Sequence, residues 1–219
     1  MKKPPTVNVA GIINRSKFKI HSSIKRVGWY DAGTKQRSFS RAFNRQLIAR
    51  YTAGVAGEFQ AWLGITYAYA RHENAQHALK DNLRCELGQD HIGMLYKFAG
   101  QIGALPTSDH RMYVEEHIKR LRLLFGDTRT VGLAGLTVLA VLENASQVFI
   151  PVLADVAKSL GATDFTYTNT HGEADAAHSN AFLHAILHEL GEGYDNPTAI
   201  ISDASAFATD YVISLFAGQ

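Results

Sequence analysis

Cysteine is nearly absent from the sequence, in which Cys85 is the only one among 219 residues. One cysteine cannot form an intrachain disulfide, so the disulfide-stabilised scaffolds of small secreted proteins are excluded. Long apolar runs are also missing, since no stretch reaches the ~18 uninterrupted apolar residues of a membrane span. The first 20 residues are basic but lack the apolar core of a secretory signal. We therefore expect a cytoplasmic protein without a membrane partner.

Acidic side chains are scarce near the start of the chain. Asp31 is the only one among the first 50 residues, which hold 12 of the 22 Lys and Arg side chains. We expect a basic, partly irregular N-terminal arm over residues 1–37, with one short helix near residues 16–27, and a single domain over residues 38–219. No RNA- or DNA-binding signature accompanies the basic residues, so a nucleic-acid partner is not expected.

Helical periodicity runs through most of the chain after residue 38, without a convincing pair of strands. Apolar residues recur every three or four positions, and glycine, proline and capping residues separate the periodic segments. The predicted helices cover about residues 38–69, 73–87, 91–102, 109–125, 128–160, 165–190 and 198–216. The sequence therefore predicts an all-α fold with about seven helices around one core.

One predicted helix carries His171, Asp175 and His178 at spacings i, i+4 and i+7. At ~100° per residue these side chains share one helical face, and imidazole with carboxylate is a ligand set for iron, manganese or zinc. His171 and His178 are two turns apart, roughly 10 Å along a regular helix. This distance favours two metal ions, although one ion or none stays open.

Glu143 is the only ionisable side chain between Arg129 and Asp155, within the most apolar segment of the chain. A helix that is apolar on most faces is buried on most faces, and an unpaired buried carboxylate is costly. A metal ion would keep Glu143 ionised there. An internal arginine or tyrosine, or a solvent-filled gap, would also explain its position.

Glu86 and His91 form a further pair of possible ligands. On one continuous helix, residues at i and i+5 point about 140° apart. Gly88 lies between them and can end one helix, so that Glu86 closes it and His91 opens the next. With this pair the chain offers six ligands of mixed nitrogen and oxygen type, enough for two first-row metal ions.

Together these motifs resemble those of the haem-oxygenase-like diiron oxidases and oxygenases. The order and helical placement of the ligand types match across roughly residues 40–217. The matching residues are the segment Asn82–Gly88 with Glu86, followed by His91, Glu143, His171, Asp175 and His178. The resemblance implies a seven-helix haem-oxygenase-like bundle in which these six side chains bind two Fe²⁺ ions, with O2 as co-substrate. It argues against a true haem oxygenase, because no histidine stands near the start of the first long helix.

The same resemblance implies an oxidoreductase that acts on a small molecule. We expect a small amino acid or amine as substrate, and C–H oxidation, desaturation, cyclisation, N-oxygenation or C–C cleavage as the reaction, in specialised metabolite biosynthesis. An external electron donor and a homodimer stay open. The side chains that could bind a substrate carboxylate are Arg84, Arg111, Tyr113 and Tyr211.

Three other functions are compatible with the residues. One is an oxidative decarboxylase of fatty acids in the same family, and another is a non-catalytic helical protein that binds or carries metal. The third is a metal-free hydrolase of the thiaminase type. The helix with the His171 motif begins with poor helix formers, three threonines and Gly172. We therefore expect it to be the least stable core helix, ordered mainly when metal is bound.

Overall fold

The computed structural model describes residues 7–27 and 40–217 of the chain. Within these ranges the chain forms nine α-helices, one 3₁₀ turn and no β-strand, which confirms the all-α prediction. The helices are α1 (Val9–Val27), α2 (Arg41–Val55), α3 (Glu58–Tyr69), α4 (Glu73–Gly88), α5 (His91–Gly100), α6 (Ser108–Gly126), α7 (Val131–Leu160), α8 (Thr166–Glu189) and α9 (Pro197–Phe216).

The centre of the bundle is α7, which is buried along almost its whole length. Because its sequence is apolar on most faces, neighbouring helices can cover it on most sides. The helices α1, α2, α3, α6, α8 and α9 all contact it, and the contact with α8 is the most extensive. This contact brings Glu143 of α7 beside the polar residues of α8.

The predicted first long helix is divided in two, because α2 ends at Val55 and α3 begins at Glu58. Gly57 between them has a φ of +84°, a left-handed conformation that glycine adopts without the Cβ clash that other residues meet. Farther along α3, a Cβ on Gly135 of α7 would overlap the Thr66 hydroxyl. The break thus separates two helices with different neighbours: α2 packs chiefly on α6, and α3 packs closely on α7 and α4.

The N-terminal segment is more regular than the predicted arm with its short helix near residues 16–27, since residues 9–27 form one helix. α1 packs against α7 and α9, and Ile13, Ile20 and Ile24 are fully buried. These isoleucines share one helical face, a pattern that the many basic residues of the segment obscure. α1 is therefore part of the helical bundle, which corrects the predicted boundary for this segment. Residues 1–6 and 28–37 of the predicted arm lie outside the described residues.

Two described helices, α7 and α9, are long and apolar enough to cross a membrane. The most apolar window of α7 is 89% buried inside the bundle, and that of α9 is 56% buried. The central position of α7 in the fold accounts for its apolar composition, since its side chains face other helices on most sides.

Candidate metal centre

A break between α4 and α5 brings Glu86 and His91 together. Glu86 lies in the last turn of α4, and His91 is the first residue of α5. Between them Asp90 has a φ of 51° and caps α5 by accepting a hydrogen bond from the Gly93 amide at 3.2 Å. The Glu86 Oε1 and His91 Nδ1 atoms therefore lie 2.8 Å apart, with both side chains buried.

One face of α8 carries His171, Asp175 and His178, as their spacing predicts. His171 Nδ1 lies 3.1 Å from Asp175 Oδ1, one helical turn away. His178 Nδ1 lies 3.5 Å from Oε1 of Glu143 on the neighbouring α7. Glu143 and Asp175 are both buried. The α7–α8 contact thus completes a polar site inside an otherwise apolar bundle.

The six side chains form two groups of three. Within each group, one possible ligand atom from each residue lies within 4.8 Å of the others. The first group is Glu86, His91 and His171, and the second is Glu143, Asp175 and His178. His171 and His178 fall in different groups, as their separation by two helical turns requires. The contact between His171 and Asp175 joins the two groups.

The pKa shifts of the site reflect burial and the negative charge of neighbouring carboxylates. Burial raises the pKa of Glu143 to about 7, although hydrogen bonds to His178 and Asn82 lower it. The hydrogen bond to Glu143 raises the pKa of His178 above its ordinary value. Burial lowers the pKa of His171, but the hydrogen bond to Asp175 and the charges of Asp175, Glu86 and Glu143 together outweigh burial and raise the pKa. All three directions indicate a buried site with an excess of negative charge.

The two groups fit metal ions in their donors and in their charge. Carboxylate with imidazole is a donor set for divalent first-row metals. His171 Nε2 is buried and has no hydrogen-bond partner in the described part of the chain, so a ring nitrogen of the first group is left for a ligand bond. Three carboxylates lie together in this site, and two divalent cations would supply the positive charge that they lack.

A cavity adjoins both groups and has about 60 Å³ of water-accessible space. Five of the six side chains line it, all except His178. The rest of its lining is mainly apolar and includes Val55, Phe59, Leu95, Phe149 and Leu215. Among the described residues of the lining, none is Lys or Arg. A small molecule in this cavity would therefore lie against the ligand groups within apolar surroundings.

A family model described as an iron-containing redox enzyme matches residues 47–209, a range that contains all six predicted ligand residues. The chain belongs to this family of iron-containing redox enzymes. Family membership confirms the resemblance to the haem-oxygenase-like superfamily and the fold that it implies. It also makes the chain an oxidoreductase. No curated protein matches the chain at a significant level.

Of the four side chains predicted to bind a substrate carboxylate in this iron-containing redox enzyme, Tyr211 lines the cavity. Its hydroxyl donates a hydrogen bond to the Gly54 carbonyl oxygen at 2.7 Å. The Tyr211 hydroxyl hydrogen is therefore already used, and only its lone pairs remain for a ligand.

The other three predicted substrate-binding side chains are not among the residues of the cavity lining. Arg84 is exposed beside Asp81, and Arg111 lines a separate hollow. Tyr113 donates its hydroxyl hydrogen to the Ser214 carbonyl oxygen at 3.1 Å. Proximity in sequence to the ligand motifs suggested these residues, but the faces that α4 and α6 turn to the core place them elsewhere.

Two polar features of the site were not predicted. Asn82 is buried and donates a hydrogen bond to Glu143 Oε1 at 2.9 Å. It lies one turn before Glu86 on α4, so helical spacing could have indicated it. Tyr51 and Tyr167 line the cavity with their hydroxyl oxygens 2.8 Å apart. These two tyrosines are 116 positions apart, and no local pattern in the sequence connects them.

Proposed function

We propose that the protein is an O2-dependent, non-haem diiron oxidase or oxygenase. The observation that carries this proposal is the pair of adjoining buried groups beside one cavity. Glu86, His91 and His171 would hold one ion. Glu143, Asp175 and His178 would hold the other. Two Fe²⁺ ions bound there would reduce O2 and so supply the oxidising power for attack on a C–H or N–H bond of the substrate.

The surrounding residues of the chain would orient the ligands and control access of water. The Asn82 hydrogen bond orients the Glu143 carboxylate, which is the kind of support that ligands of metal sites receive from their neighbours. Burial raises the pKa of Tyr51 and Tyr167 well above the ordinary tyrosine value, so both stay protonated. One of these phenols donates its hydrogen to the other, which leaves one hydroxyl hydrogen of the pair for a hydrogen bond near the site. The apolar lining limits competing reactions with water.

For the substrate we propose a small amino acid or related amine. An ammonium group would be attracted by the three carboxylates of the site, because no Lys or Arg among the described lining residues competes with it. A second candidate is the oxidative decarboxylation of a fatty acid, which the apolar lining favours. The reaction on either substrate would belong to specialised metabolite biosynthesis.

The proposal also covers the cellular location, the electron donor and the oligomeric state of the enzyme. A single cysteine in the sequence supports a reducing, cytoplasmic location. An external electron donor would be a further partner for any reaction in which the substrate supplies fewer electrons than the reduction of O2 requires. A homodimer is compatible with the chain and would be identified by its mass in solution.

The test is anaerobic titration of the full-length, metal-free protein with Fe(II), followed by mixing with O2. We expect two equivalents of iron to bind and a transient visible absorption to form, which decays faster with the right substrate. Free amino acids, amines and fatty acids would be screened for O2 consumption, with mass spectrometry of the products. Binding of one equivalent or none would contradict the diiron site. Two bound ions whose O2 reaction no substrate alters would favour a carrier or storage protein.

A further inference from the structure

The helices α2, α3 and α9 contribute a part of the cavity lining that holds none of the six ligand residues. Apart from Tyr51, which pairs with Tyr167, these residues are Val55, Phe59, Trp62, Tyr211, Val212 and Leu215, and we call these six the apolar wall. Most of these side chains are hydrocarbon. The two polar groups of the apolar wall are the Tyr211 hydroxyl and the Trp62 indole N–H.

The Trp62 N–H has no acceptor among the described residues. Its Nε1 atom is buried without a hydrogen-bond partner in the part of the chain that the structure describes, and the residue is only 2% exposed. Phe125 stacks on the indole with ring centroids 5.7 Å apart, and Tyr211 meets it edge-on at 5.7 Å. Trp62 lines the cavity and an unsatisfied buried donor is unfavourable, so an acceptor that reached this N–H from the cavity would gain a hydrogen bond.

We propose that Trp62 is a substrate-binding residue whose N–H donates a hydrogen bond to a neutral oxygen of an otherwise apolar substrate portion. Suitable oxygens are those of a carbonyl, ether or hydroxyl group. An ionised carboxylate is disfavoured at this wall, because burying a charge without a counter-charge is costly and the described lining holds no Lys or Arg. A charged part of the substrate would instead lie beside the two sets of candidate metal ligands. The inference rests on the proposed function only in taking this cavity as the substrate site.

A matched pair of probes tests the role of the N–H in the full-length, metal-free protein. The ligands 4-phenylbutan-2-one and butylbenzene share one carbon skeleton and differ by a carbonyl oxygen. Trp62→Phe removes the donor and keeps an aromatic ring against Phe125. We expect this variant to weaken ketone binding about threefold to tenfold, the usual effect of one neutral hydrogen bond, with little change for butylbenzene. Phe59→Leu is the control and should weaken both ligands alike.

A measurement on the native Trp62 side chain covers the case in which Trp62→Phe does not fold. The sequence has two tryptophans, so Trp29→Phe leaves Trp62 as the only indole N–H signal in a ¹⁵N NMR spectrum. That signal should move downfield with the ketone and much less with butylbenzene.

Three results would overturn the proposal. One is equal weakening of both probes by Trp62→Phe, which would show that Trp62 acts through packing alone. The others are an indole signal that does not respond to the ketone, and failure of the ketone to bind. Because this binding needs neither iron nor O2, its failure leaves the diiron proposal intact, and a failed iron titration leaves the role of Trp62 intact.

Discussion

Glu143 gives a quantitative test of the site, because its carboxylate is buried among other carboxylates. Glu143→Gln removes the charge and keeps an oxygen that can accept the Asn82 hydrogen bond. Burial raises the pKa of Glu143 from its ordinary value of 4.5 to about 7. At about 1.4 kcal/mol for each tenfold change in proton affinity, ionisation of Glu143 costs the folded, metal-free protein about 3 kcal/mol at pH 8.

The sign of the pH dependence follows from the direction of the shift. Since the folded pKa is raised, the folded state keeps a proton that the unfolded chain releases, and stability falls as pH rises from 4.5 through about 7. The raised pKa of His178 acts in the same direction, because its stabilising contact with Glu143 is lost as His178 deprotonates. The free energy of unfolding of Glu143→Gln minus that of the wild type should therefore increase by roughly 2–3 kcal/mol between pH 5 and pH 8.

Urea unfolding of chelator-treated wild type and variant at both pH values measures this difference. Other titrating groups are common to the two proteins and largely cancel. Glu173→Gln, at an exposed position of α8, should show no such increase. At pH 8 with saturating Zn²⁺, the wild type should instead be more stable than Glu143→Gln, because the ion binds the charged carboxylate. If the difference in free energy of unfolding between variant and wild type stays constant between pH 5 and pH 8, the site does not carry the excess negative charge inferred above.

Three further predictions concern α8 and its ends. Asp175→Ala should bind at most one iron ion per chain by elemental analysis while keeping its helical circular dichroism. Binding of two iron ions by this variant would show that Asp175 is not a ligand. The control is His184→Ala, at an exposed position of α8. Hydrogen exchange of residues 166–180 should slow when metal is bound, whereas equal exchange rates would contradict metal-dependent ordering of α8. Glu189→Ala should lower the free energy of unfolding by about 2–4 kcal/mol. The reason is that the buried carboxylate accepts hydrogen bonds from the amides of residues 71 and 72 and from a tyrosine hydroxyl. A loss below about 1 kcal/mol in urea unfolding would contradict this prediction.

Helix positions were predictable where one local pattern dominates. The apolar segment that became α7 and the capping residue Asp90 before α5 are both evident in the sequence. The break at Gly57 was not predicted, because a glycine inside a periodic segment can either stay helical or take a positive φ, and packing of α3 on α7 decides between them. In α1 the basic residues suggested an arm, whereas three buried isoleucines on one face determine its packing.

The proposed ligands were predictable for a similar reason, since each is set by a local rule. Helical spacing puts Asp175 beside His171, and the apolar context of Glu143 indicates burial. No local rule of this kind predicts which residues meet between helices. The pairing of Tyr51 with Tyr167 and the isolation of the Trp62 N–H depend on how α2, α3, α8 and α9 meet, and the sequence does not reveal this.

The pitch of α8 explains why the site has two groups. Seven residues of helix span roughly 10 Å, so His171 and His178 cannot share one centre, while Asp175 lies one turn from His171 and contacts it at 3.1 Å. Other helices place further side chains beside each histidine. The α4–α5 break places two side chains beside His171, and α7 places Glu143 beside His178. Shifting His178 by one position along α8 would turn it about 100° away from Glu143. The second group should therefore lose its metal in a variant with one alanine inserted after Asp175, while the first group keeps the positions of all three of its side chains.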